Sequence, residues 1–171
     1  MEVALILLAA GKGTRMQSDL PKVLHAVAHA PLLEHAMASG AALSPARTVV
    51  VAGHGADQVR AAAQAFDDEA QVVVQEEQLG TAHAVLQCRD ILQDYSGNVL
   101  ILYGDVPLIK IETLANLISV HSETDTQSTI LTTDLPDPTG YGRIIRNKDD
   151  SLKKIVEEKD ATCLLYTSDA A

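Results

Sequence analysis

The chain has 171 residues, 47% of them hydrophobic, and a net charge of −10. That length holds one α/β domain with a real core or part of a larger one, and an acidic chain without a basic face is a poor partner for nucleic acid. No apolar run approaches the ~18 residues of a membrane span and no positively charged segment precedes the first apolar stretch, so a cytoplasmic protein with no membrane partner is expected.

The first predicted element is a buried strand over 3–8, running into Ala9-Ala10-Gly11-Lys12-Gly13-Thr14-Arg15-Met16, with Pro21-Lys22 after it. Small residues and glycines at a strand end let backbone N–H groups cradle an anion. Lys12, Arg15 and Lys22 add three cations, which points to a nucleoside triphosphate. The P-loop pattern is excluded, because Gly13 stands where a hydroxyl residue should follow Gly11-Lys12 and Ile6 where the first glycine should be. The dinucleotide fingerprint is excluded too, since Met16 replaces the third glycine and Pro21 falls where its helix should run. An ordinary glycine turn is the competing reading.

Helical patterns over 32–43, 56–66, 82–92 and 111–122 alternate with β-rich runs over 48–52, 72–75, 99–102 and 128–133. Val59, Ala62, Ala63 and Phe66 recur at helical spacing, as do Ile111, Leu114, Leu117 and Ile118. Val99-Leu100-Ile101-Leu102 is apolar throughout, as when both faces of a sheet are covered. Repeated β-α-β order predicts a Rossmann-like, doubly wound, mostly parallel α/β sheet, whose ligands bind beyond the carboxyl ends of the strands. Past residue 133 a turn-rich segment, Asp137 to Arg143, leads into Ile144-Ile145. A polar turn over 147–151 and a run over 152–156 then predict an antiparallel hairpin.

Three further constellations carry chemistry. Gln75 to Ala84 leaves a strand and enters a helix, with Thr81 as a natural N-cap and Gly80 allowing close approach of a flat ring or phosphate. The Gln75 amide can pair with the edge of a uracil imide; a plain capped helix start is the alternative. Asp105, in Tyr103-Gly104-Asp105-Val106-Pro107, ends the most apolar strand. A carboxylate there suits Mg²⁺ bridging phosphates, or else caps the next turn. Gly140-Tyr141-Gly142-Arg143 offers backbone N–H groups and a ring to a hydroxyl-rich ligand, or is only a tight turn. Glu157 is either an acceptor for sugar hydroxyls or a solvated charge. His25 and His29 lack the setting of a zinc pair, while His54 and His83 read as polar lining or turn residues. Cys88 and Cys163 imply no disulfide framework, and Cys88 reads as a small buried helix residue.

Together these strings resemble the uridyltransferase domain of bacterial N-acetylglucosamine-1-phosphate uridyltransferases. The resemblance runs from Leu8 to about Ala161 through L-A-A-G-K-G-T-R-M, P-K-V-L-H, E-Q-L-G-T-A-H-A, Y-G-D-V-P-L, D-P-T-G-Y-G-R-I and I-V-E-E-K-D-A. The first string is shared by many sugar nucleotidyltransferases, and the last four are more specific. The resemblance implies that Leu8, Ala9, Ala10 and Gly11 line the nucleotide, with Arg15 and Lys22 on its phosphates as the catalytic pair. It implies uracil contacts from Gln75, Gly80 and Thr81. Tyr103, Gly104 and Asp105 would serve the sugar and the metal, and Gly142 and Glu157 the amino sugar. The implied reaction joins UTP and N-acetylglucosamine 1-phosphate into UDP-N-acetylglucosamine and pyrophosphate with Mg²⁺ as cofactor.

It also implies that residues 1–161 are the first part of a nucleotidyltransferase domain, incomplete at its C-terminal end. Residues 162–171 depart from the family and look like a tail left by a frameshift or artefactual join. The family's E-I-N-x-G strand, a second Asn metal ligand and an acetyltransferase half that makes the parent a homotrimer are not in this sequence. Weak nucleotide binding and negligible turnover are therefore expected of these 171 residues. The rivals are a transferase for another base or sugar and a non-catalytic nucleotide-binding fragment.

Overall fold

Residues 2–160 are described in the computed structural model, apart from Lys12, Thr14, Arg15, Asp150 and the side chain of Lys159. The chain divides after Ile118 into two compact units. The first begins with β1 (Val3–Ala9), a minimal hairpin of β2 (Ala26–Val27) and β3 (Ala30–Pro31), and α1 (Leu32–Ala41). It continues with β4 (Arg47–Ala52), α2 (Ala56–Phe66), β5 (Gln71–Val74), α3 (Thr81–Leu86), α4 (Arg89–Leu92) and β6 (Asn98–Tyr103). The division falls inside α5 (Ile111–Glu123), and β7 (Arg143–Arg146) and β8 (Leu152–Val156) belong to the second unit.

The main sheet has the order β5-β4-β1-β6, with every neighbouring pair parallel. Strands after β1 are laid to one side, then β6 returns to the other, so the order reverses at β1. This is the doubly wound α/β arrangement expected from the sequence. β1 is buried along its whole length because both of its faces are covered, whereas β6, expected from its apolar run to be covered on both faces, leaves Val99, Ile101 and Tyr103 exposed on one of them. Its period of two sends Leu5, Leu7 and Ala9 into one core with Leu33 and Met37 of α1, Val59 and Ala63 of α2, and Leu114 of α5. Ile6 and Leu8 enter a second core with Val49, Val51, Ala84 and Cys88. Each buried Leu or Ile of this kind contributes about 1.5–3 kcal/mol. α1 sits so close to β1 that a methyl group on Gly40 would meet Leu5 Cδ2 at 2.3 Å. Among the described residues no helix is long and apolar enough to cross a membrane.

Three other expectations need correction. The run over 128–133 forms no strand: Ile130 and Leu131 are 45% and 50% exposed, and no described strand pairs with it. β-propensity without a neighbouring ladder does not make a strand. The helix expected over 82–92 is two short helices. Gln87 N and Cys88 N bond three residues back, to Ala84 O at 3.2 Å and Val85 O at 3.0 Å, and this tightening breaks the helix. Cys88 sits at that break, 1% exposed, and burial pushes its thiol up to about 11. Finally, Thr81 is not the N-cap but the first helical residue; the cap is Gly80, with no side-chain bond.

In the second unit β7 and β8 form the expected antiparallel hairpin, closed by a bond from Asn147 N to Ser151 O of 2.9 Å. Arg143 is buried and donates to Pro138 O at 3.0 Å, tying the turn-rich segment to the hairpin. The Thr139 hydroxyl and backbone N–H, both bonded to Asp137, hold that carboxyl below the usual range.

Candidate active site

The cleft of interest lies in the first unit, at the carboxyl ends of β1, β5 and β6. Parallel sheets collect ligands where the strand order reverses, because the loops there diverge to opposite faces. β1 ends in Ala10 and Gly11. Beyond them Gly13 takes a left-handed φ of +58°, and its carbonyl accepts a bond from Met16 N at 2.8 Å. A Cβ at Gly13 would stand 2.8 Å from Lys22 Cβ, so only glycine lets the loop lie against that lysine. The buried Pro21 then starts a 3₁₀ turn, Lys22–Leu24, which fixes the base of the lysine stem.

β6 brings the carboxylate. Gly104 N donates to Leu8 O at 2.9 Å, and Val106 N bonds back to Tyr103 O at 3.1 Å, which turns the chain at Asp105. Lys22 Nζ donates to Asp105 Oδ2 at 2.5 Å across 83 residues of sequence. Both side chains keep some solvent contact, 38% and 27% exposed.

β5 brings the amide. Gln75 N extends the ladder to Ala52 O at 2.8 Å, and the residue is only 4% exposed. Its Nε2 donates to Gly80 O at 3.1 Å and lies 3.0 Å from His83 Nδ1. Gly80 has φ +101° and ψ −179°, a conformation essentially confined to glycine, and this backbone kink is what aims its carbonyl at Gln75. The sequence suggested a two-point pairing of the Gln75 amide with a base. With its N–H groups already bonded inside the protein, only Oε1 is left to meet a ligand.

The cleft has a volume of about 260 Å³. Leu8, Ala10, Gly11, Lys22, Gln75, Gly80, Thr81, Tyr103 and Asp105, all singled out in the sequence, line it. Ala9 and Gly104 do not. Strand alternation turns Ala9 into the opposite core, and Gly104 is buried beneath its bond to Leu8. Arg15 lies outside the described residues, as does the tail over 162–171. Gly142 and Glu157 belong to the other unit. There Glu157 is exposed, while its neighbour Glu158 accepts from Gly140 N at 2.7 Å.

Val23, Gln78 and Ala84 complete the lining. Gln78 donates from Nε2 to Ala10 O at 2.6 Å and so stitches the 75–80 loop to the end of β1. A second glutamine three residues after Gln75 was the available signal, and nothing in the sequence separated it from a solvated loop residue. Among the described residues no group of three or more His, Cys, Asp and Glu is placed to hold a metal ion. The donor set therefore fits no protein cage. It does fit a hard cation taken by one carboxylate, Asp105, with ligand phosphates supplying other oxygens. The cation now on Asp105, Lys22 Nζ, shows that this carboxylate attracts positive charge.

The sequence matches the MobA-like NTP transferase domain over residues 5–167. The chain belongs to this family. Among its relatives, the bifunctional protein GlmU of Ruegeria sp. (strain TM1040) is 58% identical over 162 residues, covering 95% of this chain and 35% of that protein. The GlmU of Streptococcus uberis is 51% identical, covering 91% and 33% respectively. The chain thus spans about a third of the length of these relatives. Solved structures also align. A UDP-glucose pyrophosphorylase complexed with UDP-glucose does so with a TM-score of 0.73 at 17% identity, over 100% of this chain and 74% of that one. HddC from Yersinia pseudotuberculosis aligns with a TM-score of 0.69 at 19% identity, over 90% and 68%. At such identities the structural matches speak to the fold alone.

Proposed function

We propose that this family member holds the nucleotide site of a sugar-phosphate uridyltransferase, joining UTP and N-acetylglucosamine 1-phosphate into UDP-N-acetylglucosamine and pyrophosphate. The observation that carries the reading is the meeting, in one cleft at the strand-order reversal, of a glycine-rich strand end, a buried amide and a Lys–Asp pair. Each part has its task. The strand end, Leu8 to Gly11, offers small residues against which a nucleotide can lie. Gln75 Oε1 accepts from the uracil N3–H, whereas cytosine would present an acceptor there. Lys22, aided by Arg15, neutralises phosphate charge, and Gly142 and Glu157 serve the amino sugar.

In the proposed reaction a phosphate oxygen of the sugar phosphate attacks the α-phosphorus of UTP. The new P–O bond forms as the bond to the departing pyrophosphate oxygen breaks, and no covalent enzyme intermediate is needed. Holding two polyanions in line and offsetting their charge is then the whole of catalysis, and removal of one such contact costs about 10²-fold or more in rate. Family membership favours a divalent cation in general. Our reading is Mg²⁺ held by Asp105 and phosphate oxygens, which would supply further charge neutralisation when bound.

The experiment is calorimetric titration of the chain with UTP, CTP, dTTP and GTP. UTP is expected to bind best. Equal affinity for CTP, or no affinity for any nucleotide, would overturn the proposal.

A further inference from the structure

Gln75 is nearly sealed from solvent, and among the described residues two neighbours set the orientation of its amide. Gly80 O, 3.1 Å from Nε2, is a peptide carbonyl and can only accept. The –NH₂ end of Gln75 must therefore face it. The second amide hydrogen then reaches His83 Nδ1 at 3.0 Å, and that nitrogen must be the unprotonated one. Gln87 contends for the same ring, with Nε2 3.2 Å from His83 Nε2, but a neutral imidazole accepts at one nitrogen only. Gly80 decides between them. Gln75 cannot turn its oxygen toward a carbonyl, whereas Gln87 Nε2 has another acceptor in His83 O at 2.9 Å and can leave the ring.

We propose that His83 is a positioning residue: by accepting from Gln75 Nε2 it pins the amide so that Oε1 alone faces the nucleotide, and it thereby sets the preference for a base carrying an N–H donor. The inference rests on the uridyltransferase reading for its ligand. Without the imidazole the second amide hydrogen has no partner, and Gln75 is free to swing about its remaining bond to Gly80. Its –NH₂ could then meet the N3 acceptor of cytosine, so discrimination falls while the contacts that hold the phosphates stay in place. Loss of one pinned hydrogen bond corresponds to about a tenfold loss of preference.

The test uses the full 171-residue chain, nitrogen-15 NMR of the histidine side chains, and calorimetry with UTP and CTP. In the nucleotide-free protein His83 is expected as the Nε2–H tautomer. His83→Ala should lower the UTP:CTP affinity ratio about tenfold, mainly through a gain for CTP and a loss for UTP. His83→Asn, which carries an amide oxygen near the Nδ1 position, should restore most of that ratio. An Nδ1–H tautomer, an unchanged ratio in His83→Ala, or an equal loss of both nucleotides in the Ala and Asn variants would each overturn the positioning role. The first two results leave UTP preference by the unaltered chain, and hence the uridyltransferase reading, intact. Failure of the unaltered chain to prefer UTP overturns that reading, and this inference with it.

Discussion

Breaking the Lys22–Asp105 pair separates a site from a strut. The charged atoms lie 2.5 Å apart, and their side chains are 38% and 27% exposed. The gross attraction is about 1.7 kcal/mol at the dielectric of water and about 7 kcal/mol at an effective value of 20. Partial exposure, desolvation and the ordering of a long lysine leave a net contribution of about 1 kcal/mol or less. Lys22→Met keeps the stem that packs beside Gly13 and removes the charge. Denaturant titration should therefore show a loss of about 1 kcal/mol in stability. A charge-assisted bond to phosphate contributes more, about 1.5–3 kcal/mol, so UTP affinity should fall roughly 10- to 100-fold by calorimetry. Asp105→Asn should cost a similar ~1 kcal/mol in stability and abolish the dependence of UTP binding on Mg²⁺. A stability loss of several kcal/mol with nucleotide affinity unmoved would refute the argument and make the pair a structural strut.

Three other perturbations bear on the fold. Gly40→Ala drives a methyl group into Leu5 Cδ2, where only 2.3 Å is available, and should destabilise the chain by about 1–3 kcal/mol in urea; a neutral result would show that α1 is not seated on β1 as described. Ala28 and His29, with φ of 49° and 74°, form a two-residue hairpin turn that suits Asn-Gly, so Ala28→Asn with His29→Gly should raise stability by about 1 kcal/mol in thermal unfolding. Burial raises the Cys88 thiol from 9.0 in the open chain to about 11 when folded. The folded state then holds a proton that the unfolded state releases, so the contribution of this thiol to stability declines as pH rises from about 9 to 11, and the decline should be absent in Cys88→Ala.

Legibility in the sequence followed how local the cause was. β1 stood out because both of its faces are covered, which leaves a continuous apolar run; β6 carries a similar run although Val99 and Ile101 on one of its faces are exposed, so its apolar pattern alone overstated its burial. The glycine-rich loop, Gln75 and Asp105 stood out because they sit at strand ends, where a parallel sheet places its ligands. The expected strand over 128–133 failed for want of a partner, which no local pattern reveals. The break at Gln87 and Cys88 is likewise a matter of context, in which a three-residue bond replaces the helical one. What the Gln75 amide can offer depends on the Gly80 carbonyl and the His83 ring, and the Lys22–Asp105 pair spans 83 residues. Such facts belong to three-dimensional geometry and lie beyond the reach of spacing.

The central claim is that the cleft at the ends of β1, β5 and β6 receives the nucleotide. Backbone amide NMR of the nitrogen-15-labelled chain, titrated with UTP in the presence of Mg²⁺, tests it directly. The largest shifts are expected at Ala10, Gly11, Lys22, Gln75, Gly80, Thr81 and Asp105. Shifts centred instead on the separate cavity lined by Leu33, Glu34, Ala62 and Phe66, or no shifts at saturating UTP, would contradict the account.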